Sequence, residues 1–249
     1  HPFQPLTNCC LIDAKSMLKN GFEIGNANVT SPKSIQTASA QLVQIIANVS
    51  SSQYGGCTVD RVDELLSEYA QHNERHHREV AQAYVKAEQL ETYVEQQVTK
   101  DINDAIESLE YEINTLYTSN GQTPFVTLGF GLGTDTLSRK IQQAILNTRI
   151  KGLGKDRVTA IFPKLVFSIK DGINLKKADP NYDIKQLALE CSTKRMYPDI
   201  LNYDKIVELL GDFKAPMGCR SFLPSWRNEQ GENENNGRCN LGAVSYTHL

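Results

Sequence analysis

Several features that would mark a secreted, membrane or zinc-binding protein are missing from this sequence. No Cys-x-x-Cys pair occurs among the six cysteines, so a structural zinc site inside the chain is not expected. No apolar run approaches the roughly 20 residues that span a bilayer, and no basic and apolar leader opens the chain. We therefore expect a cytoplasmic protein with free thiols and no membrane partner.

An excess of charge of one sign is also lacking. The formal net charge is −3, and 22% of the residues are charged, as in ordinary soluble proteins. Nucleic-acid binding through a basic surface is therefore not expected. With 249 residues, 40% of them hydrophobic, the chain is long enough to bury a core as one large domain or two small ones.

Glycine and proline are absent between Gly56 and Gly121, and hydrophobic residues recur there at helical spacing. The span from Thr58 to about Tyr117 is too long for one ordinary helix. We therefore expect at least two helices, which turn in the polar stretch 71–79 or a little later. Another helix should follow Ser31-Pro32, a helix cap with proline at the first helical position, and end at Gly55-Gly56.

Beyond residue 120 the pattern changes to alternating strands and helices. The runs at 124–130 and 159–169 are apolar and typical of buried strands. A helix should start at Asp179-Pro180, with Cys191 on its apolar face, and a short extended segment at 199–202 precedes another helix. Such alternation is typical of an α/β sheet or barrel.

Two short stretches allow more than one interpretation. His72 and His76 are four residues apart and could form a metal-binding face. Because the carboxylate of a His-Glu-x-x-His site is missing, a solvated polar face is favoured. The glycine-rich stretch 129–135 leads into a helix whose first amides could hold a phosphate, but a plain tight turn is the favoured alternative.

The stretch Lys214–Leu223 has the composition of an ordered loop tip. Pro216 lacks a backbone donor, Gly218 has few limits on φ, and Cys219 carries a soft nucleophilic sulfur. A cysteine in such a position is, taken alone, more often a packing residue. The surrounding run "PMGCRSFL" nevertheless resembles the finger loop of the class III (anaerobic) ribonucleotide reductases, whose cysteine carries a transient thiyl radical.

Longer runs carry the same resemblance over nearly the whole chain. They include "PKSIQTASAQ", "SLEYEINTLYTSNGQTPFVTLGFGLGT", "IFPKLVFSIKDGINLKK" and "DPNYDIKQLALECSTKRMYPDILNYD". The resemblance implies the radical-based reduction of ribonucleoside triphosphates to 2′-deoxyribonucleoside triphosphates. It implies formate as the reductant and carbon dioxide as a product.

The resemblance also implies roles for three residues. Cys219 takes the thiyl role, Cys9 that of a second active-site cysteine, and Asn240 that of an active-site asparagine near the ribose. Cys10 and Cys239 are neighbours of these positions and receive no role.

The implied fold is an incomplete ten-stranded α/β barrel with a long helical N-terminal half. Within one partial catalytic domain (1–249), a helical region of dimer and effector type covers about 31–118, and the barrel strands and finger loop cover about 120–245. The family's N-terminal regulatory domain and its C-terminal zinc and glycyl radical regions are not found in this sequence. The chain alone is therefore expected to be inactive, and Tyr246–Leu249 departs from the family pattern.

The implied cofactors are a glycyl radical, zinc in the missing C-terminal region, and ATP or deoxynucleoside triphosphate effectors. The implied partners are formate, a radical S-adenosylmethionine activase with an iron–sulfur cluster, and a second copy in a homodimer. Two alternatives stay open. The chain could belong to another glycyl radical enzyme with the same barrel, or it could be a non-catalytic module for dimerisation and nucleotide binding around 31–70.

Overall fold

The computed structural model describes residues 7–118, 121, 123–213, 215–218, 222, 226–227, 230–234 and 237–240. The helices within these ranges are α1 (Ala14–Asn20), α2 (Ile35–Ser50), α3 (Val62–Tyr84), α4 (Ala87–Thr115), α5 (Thr136–Lys151), α6 (Tyr182–Arg195) and α7 (Tyr203–Leu210). No helix in this described part is both long enough and apolar enough to cross a membrane.

In the part of the chain that the structure describes, the main sheet has six strands in the order β10-β1-β4-β5-β6-β7. Its strands are β1 (Cys9–Leu11), β4 (Gly56–Val59), β5 (Phe125–Phe130), β6 (Lys164–Ile169), β7 (Asp199–Asn202) and β10 (Arg238–Asn240). Each neighbouring pair from β1 to β7 is parallel, whereas β10 is antiparallel to β1. Two small hairpins lie outside this sheet, formed by β2 (Phe22–Ile24) with β3 (Ala27–Val29) and by β8 (Trp226–Arg227) with β9 (Asn233–Glu234).

Helical crossovers connect the parallel strands. The α3–α4 pair joins β4 to β5, α5 joins β5 to β6, and α6 joins β6 to β7. This confirms the α/β fold class expected from the alternation of elements, and the mostly parallel sheet is consistent with part of a barrel.

The long helical span divides as expected but not where the polar stretch suggested. α3 continues through residues 71–79 and ends at Tyr84, and α4 begins at Ala87. The expectation of helix from Thr58 onward was wrong, because Thr58 and Val59 belong to β4. A strand of four residues is too short for its alternation to stand out against a helical pattern.

Strand β6 is shorter than the apolar run at 159–169 suggested, since it begins at Lys164. Pro163 precedes it, and the Pro163 carbonyl accepts a hydrogen bond of 2.7 Å from the buried Arg149 guanidinium. Arg149 also forms an ion pair with the buried Glu110, at 3.3 Å. These contacts tie α4 and α5 to the chain that enters β6.

The two faces of the sheet differ in what covers them. The face that packs under the helices carries, among others, Cys10, Cys57, Val126, Leu128, Leu165 and Phe167, all within the main hydrophobic core. Cys191 of α6 lies in the same core and is fully buried, which confirms its expected packing role. The opposite face, called the inner face below, carries Cys9, Leu11 and Thr58, because side chains alternate along each strand.

A buried carboxylate holds the glycine-rich stretch after β5. Asp63 Oδ2 accepts hydrogen bonds of 3.1 Å from the amides of Gly131 and Gly133 and one of 2.6 Å from Gln142 Nε2. The Asp135 side chain caps the first amides of α5. Since a carboxylate already occupies these amides, the geometry favours the tight turn over the phosphate site.

The pKa of Asp63 leads to a test of stability against pH. Burial raises the pKa of this carboxyl to about 6, although its hydrogen bonds oppose the shift. Between pH values of about 4 and 6 the folded chain should therefore hold a proton that the unfolded chain has lost. Asp63 alone should contribute a fall of roughly 3 kcal/mol in the free energy of unfolding as the pH rises through this window. Asp63→Asn should flatten that slope, as measured by urea unfolding at several pH values.

The free energy of unfolding of Asp63→Asn should still depend on pH to some extent, because desolvation also raises the pKa of Asp60 to about 6. The control is Asp104→Asn, which removes a carboxylate from an exposed ion pair with Lys100 on α4. Equal slopes for Asp63→Asn and the unchanged chain would contradict the assignment.

Candidate functional site

Cys9 and Asn240 face each other across the β1–β10 ladder. They are direct register partners, and the Cys9 backbone N–H donates a hydrogen bond of 2.6 Å to Asn240 Oδ1. The Asn8 N–H donates to the Asn240 backbone carbonyl at 2.7 Å. The structure thus brings together two of the three residues singled out in the sequence.

The segment Ala215–Gly218 packs onto the inner face beside this pair. Ala215 and Met217 form a small buried cluster with Cys9 and Leu11. The Thr58 hydroxyl of β4 donates a hydrogen bond of 3.1 Å to the Pro216 carbonyl. The segment is therefore held by both apolar contact and a side-chain hydrogen bond.

Gly218 makes the closest approach of this segment to Cys9. A Cβ at position 218 would lie 2.6 Å from Cys9 Sγ, and φ of Gly218 is +51°. Both observations require glycine at this position. Cys219, the third predicted residue, is next in the sequence but lies outside the described residues.

The thiol of Cys9 is enclosed by backbone. Cys9 is 5% exposed, and the Gly56 N–H donates to its Sγ at 3.4 Å. A Cβ on Gly55 would lie 2.5 Å from the same sulfur. Gly55 therefore allows the chain that enters β4 to come close to the Cys9 side chain.

Three other cysteines lie on the far side of the sheet. Cys10 pairs in register with Cys57 of β4 and with Cys239 of β10, so the three point away from the inner face. Burial raises the pKa of the Cys57 thiol to about 12 and raises that of Cys10 further. Cys10 and Cys57 therefore stay protonated at neutral pH and are poor nucleophiles.

Sequence reasoning missed the residues that position this site. The sequence pattern indicates only a helix end at Gly55-Gly56, and it places Thr58 in a helix. Two adjacent glycines before a β-branched run were the available signal for a strand that closely approaches its neighbour.

A metal centre is not evident in the described residues, because no group of three or more His, Cys, Asp or Glu side chains is placed to hold an ion there. The histidines of α3 have protein neighbours. His77 Nε2 lies 2.7 Å from Asp101 Oδ2, and the His72 ring stacks on Tyr69 with centroids 6.3 Å apart.

The chain matches known proteins over almost its full length. The model of the family described as anaerobic ribonucleoside-triphosphate reductase matches residues 1–246. The protein of that name from Escherichia coli (strain K12) is 58% identical over 244 residues, which is 98% of this chain and 34% of that protein. The one from Enterobacteria phage T4 is 52% identical over 246 residues, or 98% of this chain and 40% of that protein. The chain thus spans between a third and two-fifths of these relatives.

Solved structures show the same fold at much lower sequence identity. The anaerobic ribonucleotide reductase from Thermotoga maritima, in complex with dATP and CTP, aligns with a TM-score of 0.51 at 13% sequence identity. The alignment covers 80% of this chain and 33% of the Thermotoga chain. Another structure described as anaerobic ribonucleotide reductase aligns with a TM-score of 0.52 at 14% sequence identity. That alignment covers 92% of this chain and 35% of the other chain.

The contact between Gly218 and Cys9 predicts the effect of adding one methyl group. Gly218→Ala should push the segment Ala215–Gly218 off the inner face, because the new Cβ would overlap Cys9 Sγ. Alkylation of Cys9, measured by peptide mass spectrometry, should become about tenfold faster. This factor corresponds to a loss of about 1.4 kcal/mol from the free energy that holds the segment against the inner face.

Gly25→Ala is the matched control, because Gly25 has a similar φ of +57° but no atom within 4 Å of the added Cβ. This variant carries the backbone strain without the clash, so Cys9 should react at its original rate. Equal rates of Cys9 alkylation in the two variants would show that Gly218 does not shield the thiol.

Proposed function

The chain belongs to the anaerobic ribonucleoside-triphosphate reductase family, and we propose that it contributes part of the catalytic barrel of such an enzyme. The proposed reaction converts ribonucleoside triphosphates into 2′-deoxyribonucleoside triphosphates. The observation that carries the proposal is the convergence of Cys9, Asn240 and the segment leading to Cys219 on the inner face.

The surroundings of Cys9 suit chemistry that moves hydrogen atoms. The cluster of Cys9, Leu11, Ala215 and Met217 is apolar and buried, so water is kept from the sulfur. When present in the complete protein, a glycyl radical would supply the hydrogen-atom acceptor for the Cys219 thiol. Cys219 would then take the ribose 3′ hydrogen, and the 2′ hydroxyl would leave as water. The protein's contribution is placement and exclusion of solvent.

We assign Cys9 to the departure of the 2′ hydroxyl. Its thiol lies on the inner face beside Gly218, the residue that precedes Cys219. The Gly56 N–H that points at Cys9 Sγ would stabilise partial negative charge on this sulfur as its proton moves to the leaving oxygen.

We assign Asn240 the part of a hydrogen-bond donor. Its side-chain oxygen accepts a hydrogen bond from the Cys9 N–H, and the donor group of this side chain is its amide NH₂, which we assign to a ribose oxygen or a small reductant. An asparagine brings no thiol to this position, which fits formate as the external reductant. In that reaction a ribonucleotide, formate and a proton yield the deoxynucleotide, carbon dioxide and water.

The remaining assignments follow from family membership and extend the proposal. The helical region at about 31–118 would serve dimerisation and binding of ATP or deoxynucleotide effectors, and the region at about 120–245 the chemistry. Support comes from α2, α3 and α4, which pack on the face of the sheet opposite Cys9. The glycyl radical, the zinc site and the docking of a radical S-adenosylmethionine activase are assigned to parts of the relatives that this chain does not span. A cytoplasmic homodimer is proposed on the same basis.

Replacement of the thiol at position 219 is the direct test. In a full-length, activated reductase that carries this chain, Cys219→Ser should abolish turnover, because an alcohol oxygen does not form a comparably stable radical. Nucleotide binding by equilibrium dialysis should be unchanged. The exposed Cys239→Ser serves as the control and should stay active. Turnover by Cys219→Ser would refute the proposed role.

The placement of the other thiols predicts which reductant works. Deoxynucleotide formation by the same activated enzyme should require formate, and labelled formate should appear as carbon dioxide. Cys10→Ala and Cys239→Ala should keep this activity, because both side chains point away from Cys9 and so cannot pair with it in a disulfide. Sustained turnover with a thioredoxin-type reductant and no formate would overturn the assignment.

A further inference from the structure

Three cysteines form a row across the face of the sheet that lies away from Cys9. Cys10 of β1 is the register partner of Cys239 on the antiparallel strand β10 and of Cys57 on the parallel strand β4. Neighbouring strands are about 4.8 Å apart, so the three side chains lie side by side. All three are thiols in this structure. The proposed reduction does not use this row.

The three thiols differ in their access to solvent. Cys239 is exposed, Cys10 is 8% exposed, and Cys57 is fully buried. A small oxidant therefore reaches the row at Cys239. Cys10 is the next thiol inward, and Cys57 lies behind it.

Cys10 is in contact with Cys239 in particular. Burial first, and then a side-chain hydrogen bond with Cys239, raise the pKa of the Cys10 thiol, whereas Cys57 acts on it only electrostatically. Residues directly opposite on antiparallel strands have Cα atoms about 4.5 or 5.5 Å apart, and disulfides join Cα atoms about 4.4–6.8 Å apart. Cys10 and Cys239 can therefore be joined with little movement of the backbone.

We propose that Cys239 and Cys10 form a redox modification site, at which a peroxide converts the two thiols into a disulfide between β10 and β1. In the first step Cys239 loses its proton, its sulfur attacks the peroxide, and the O–O bond breaks to leave a sulfenic acid on Cys239. In the second step the Cys10 sulfur displaces the hydroxyl group from Cys239, and the Cys10 proton leaves with that hydroxyl as water. Two thiols and one hydrogen peroxide thus give one disulfide and two waters.

The order of the two steps follows from the surroundings of the two sulfurs. The thiolate is the form that attacks a peroxide, and the buried Cys10 stays protonated at neutral pH. Cys10 reacts once its neighbour carries a leaving group, because the two sulfurs are already held together. Cys9 is spared, since its sulfur lies on the other face and is enclosed by backbone.

The disulfide would join two strands that are far apart in the sequence. Cys10 and Cys239 adjoin Cys9 and Asn240, so the link fixes the register that places Cys9 opposite Asn240. Modification therefore holds the ladder in its native register, and a thiol reductant restores both thiols.

The test is a disulfide map of a full-length reductase that carries this chain and has not been activated. After treatment with excess hydrogen peroxide, the remaining thiols are alkylated and the unreduced protein is digested. Mass spectrometry should find the peptides of Cys10 and Cys239 joined, with the loss of two hydrogen atoms, and dithiothreitol should separate them. Without peroxide, Cys239 should be alkylated at least about tenfold faster than Cys10, because Cys10 is buried and protonated.

Two serine substitutions distinguish this pair from the rest of the row. Cys57→Ser is the matched control, because it removes the other register partner of Cys10 and should leave the link unchanged. Cys10→Ser should stop the reaction at the sulfenic acid of Cys239, which dimedone labels. A link between Cys10 and Cys57 would overturn the inference, as would a Cys10 that stays reduced in the unchanged protein.

Hydrogen exchange gives a second measurement. Exchange at the amides of β1 should become about tenfold slower in the oxidised protein than in the reduced one, because the link opposes opening of the ladder. Faster exchange would show that the disulfide breaks the register and would contradict the inference. Neither measurement depends on turnover, so failure of the proposed function would leave the outcome for the two thiols intact.

Discussion

The pairing of β1 with β10 is the constraint on which the candidate site depends. β1 has three residues, yet it forms hydrogen bonds with β4 on one side and with β10 on the other. The β10 residue opposite Cys9 is Asn240, which lies 231 positions later in the sequence. This one register places Asn240 beside Cys9 on the inner face and Cys239 beside Cys10 on the opposite face. A slip of one residue would exchange the two sets of side chains, so the ladder separates the thiol assigned to the reduction from the other two.

Close packing on the inner face depends on small residues. Buried polar groups elsewhere in the fold hold the segments that flank the sheet strands. Gly55, Gly56 and Gly218 let three backbone segments meet around one sulfur. Asp63 and the Arg149–Glu110 pair hold the chain after β5 and before β6. Burial of these charges opposes folding unless they are bonded, and their partners include backbone groups of the segments that they position.

The distribution of charge on the inner face agrees with the chemistry proposed for it. Around Cys9 the neighbours are mainly apolar side chains and backbone, which keep water from the sulfur, while the Gly56 N–H can stabilise the partial charge proposed to develop there. The charged pair Lys164–Asp199 lines a cavity on the other side of Gly218. The segment Ala215–Gly218 therefore separates an apolar compartment from a polar one.

The sequence by itself determined the features that rest on local periodicity: helix α2, the two-helix span, the later strand–helix alternation and the burial of Cys191. The roles of Cys9, Cys219 and Asn240 came from the family resemblance, since no spacing distinguishes Cys9 from Cys10. Only the tertiary structure decided the register of β1, the docking of Ala215–Gly218 and the meeting of Cys10 with Cys239. Strands of three or four residues carry too little pattern to be recognised, and contacts between distant segments depend on packing that no local signal encodes.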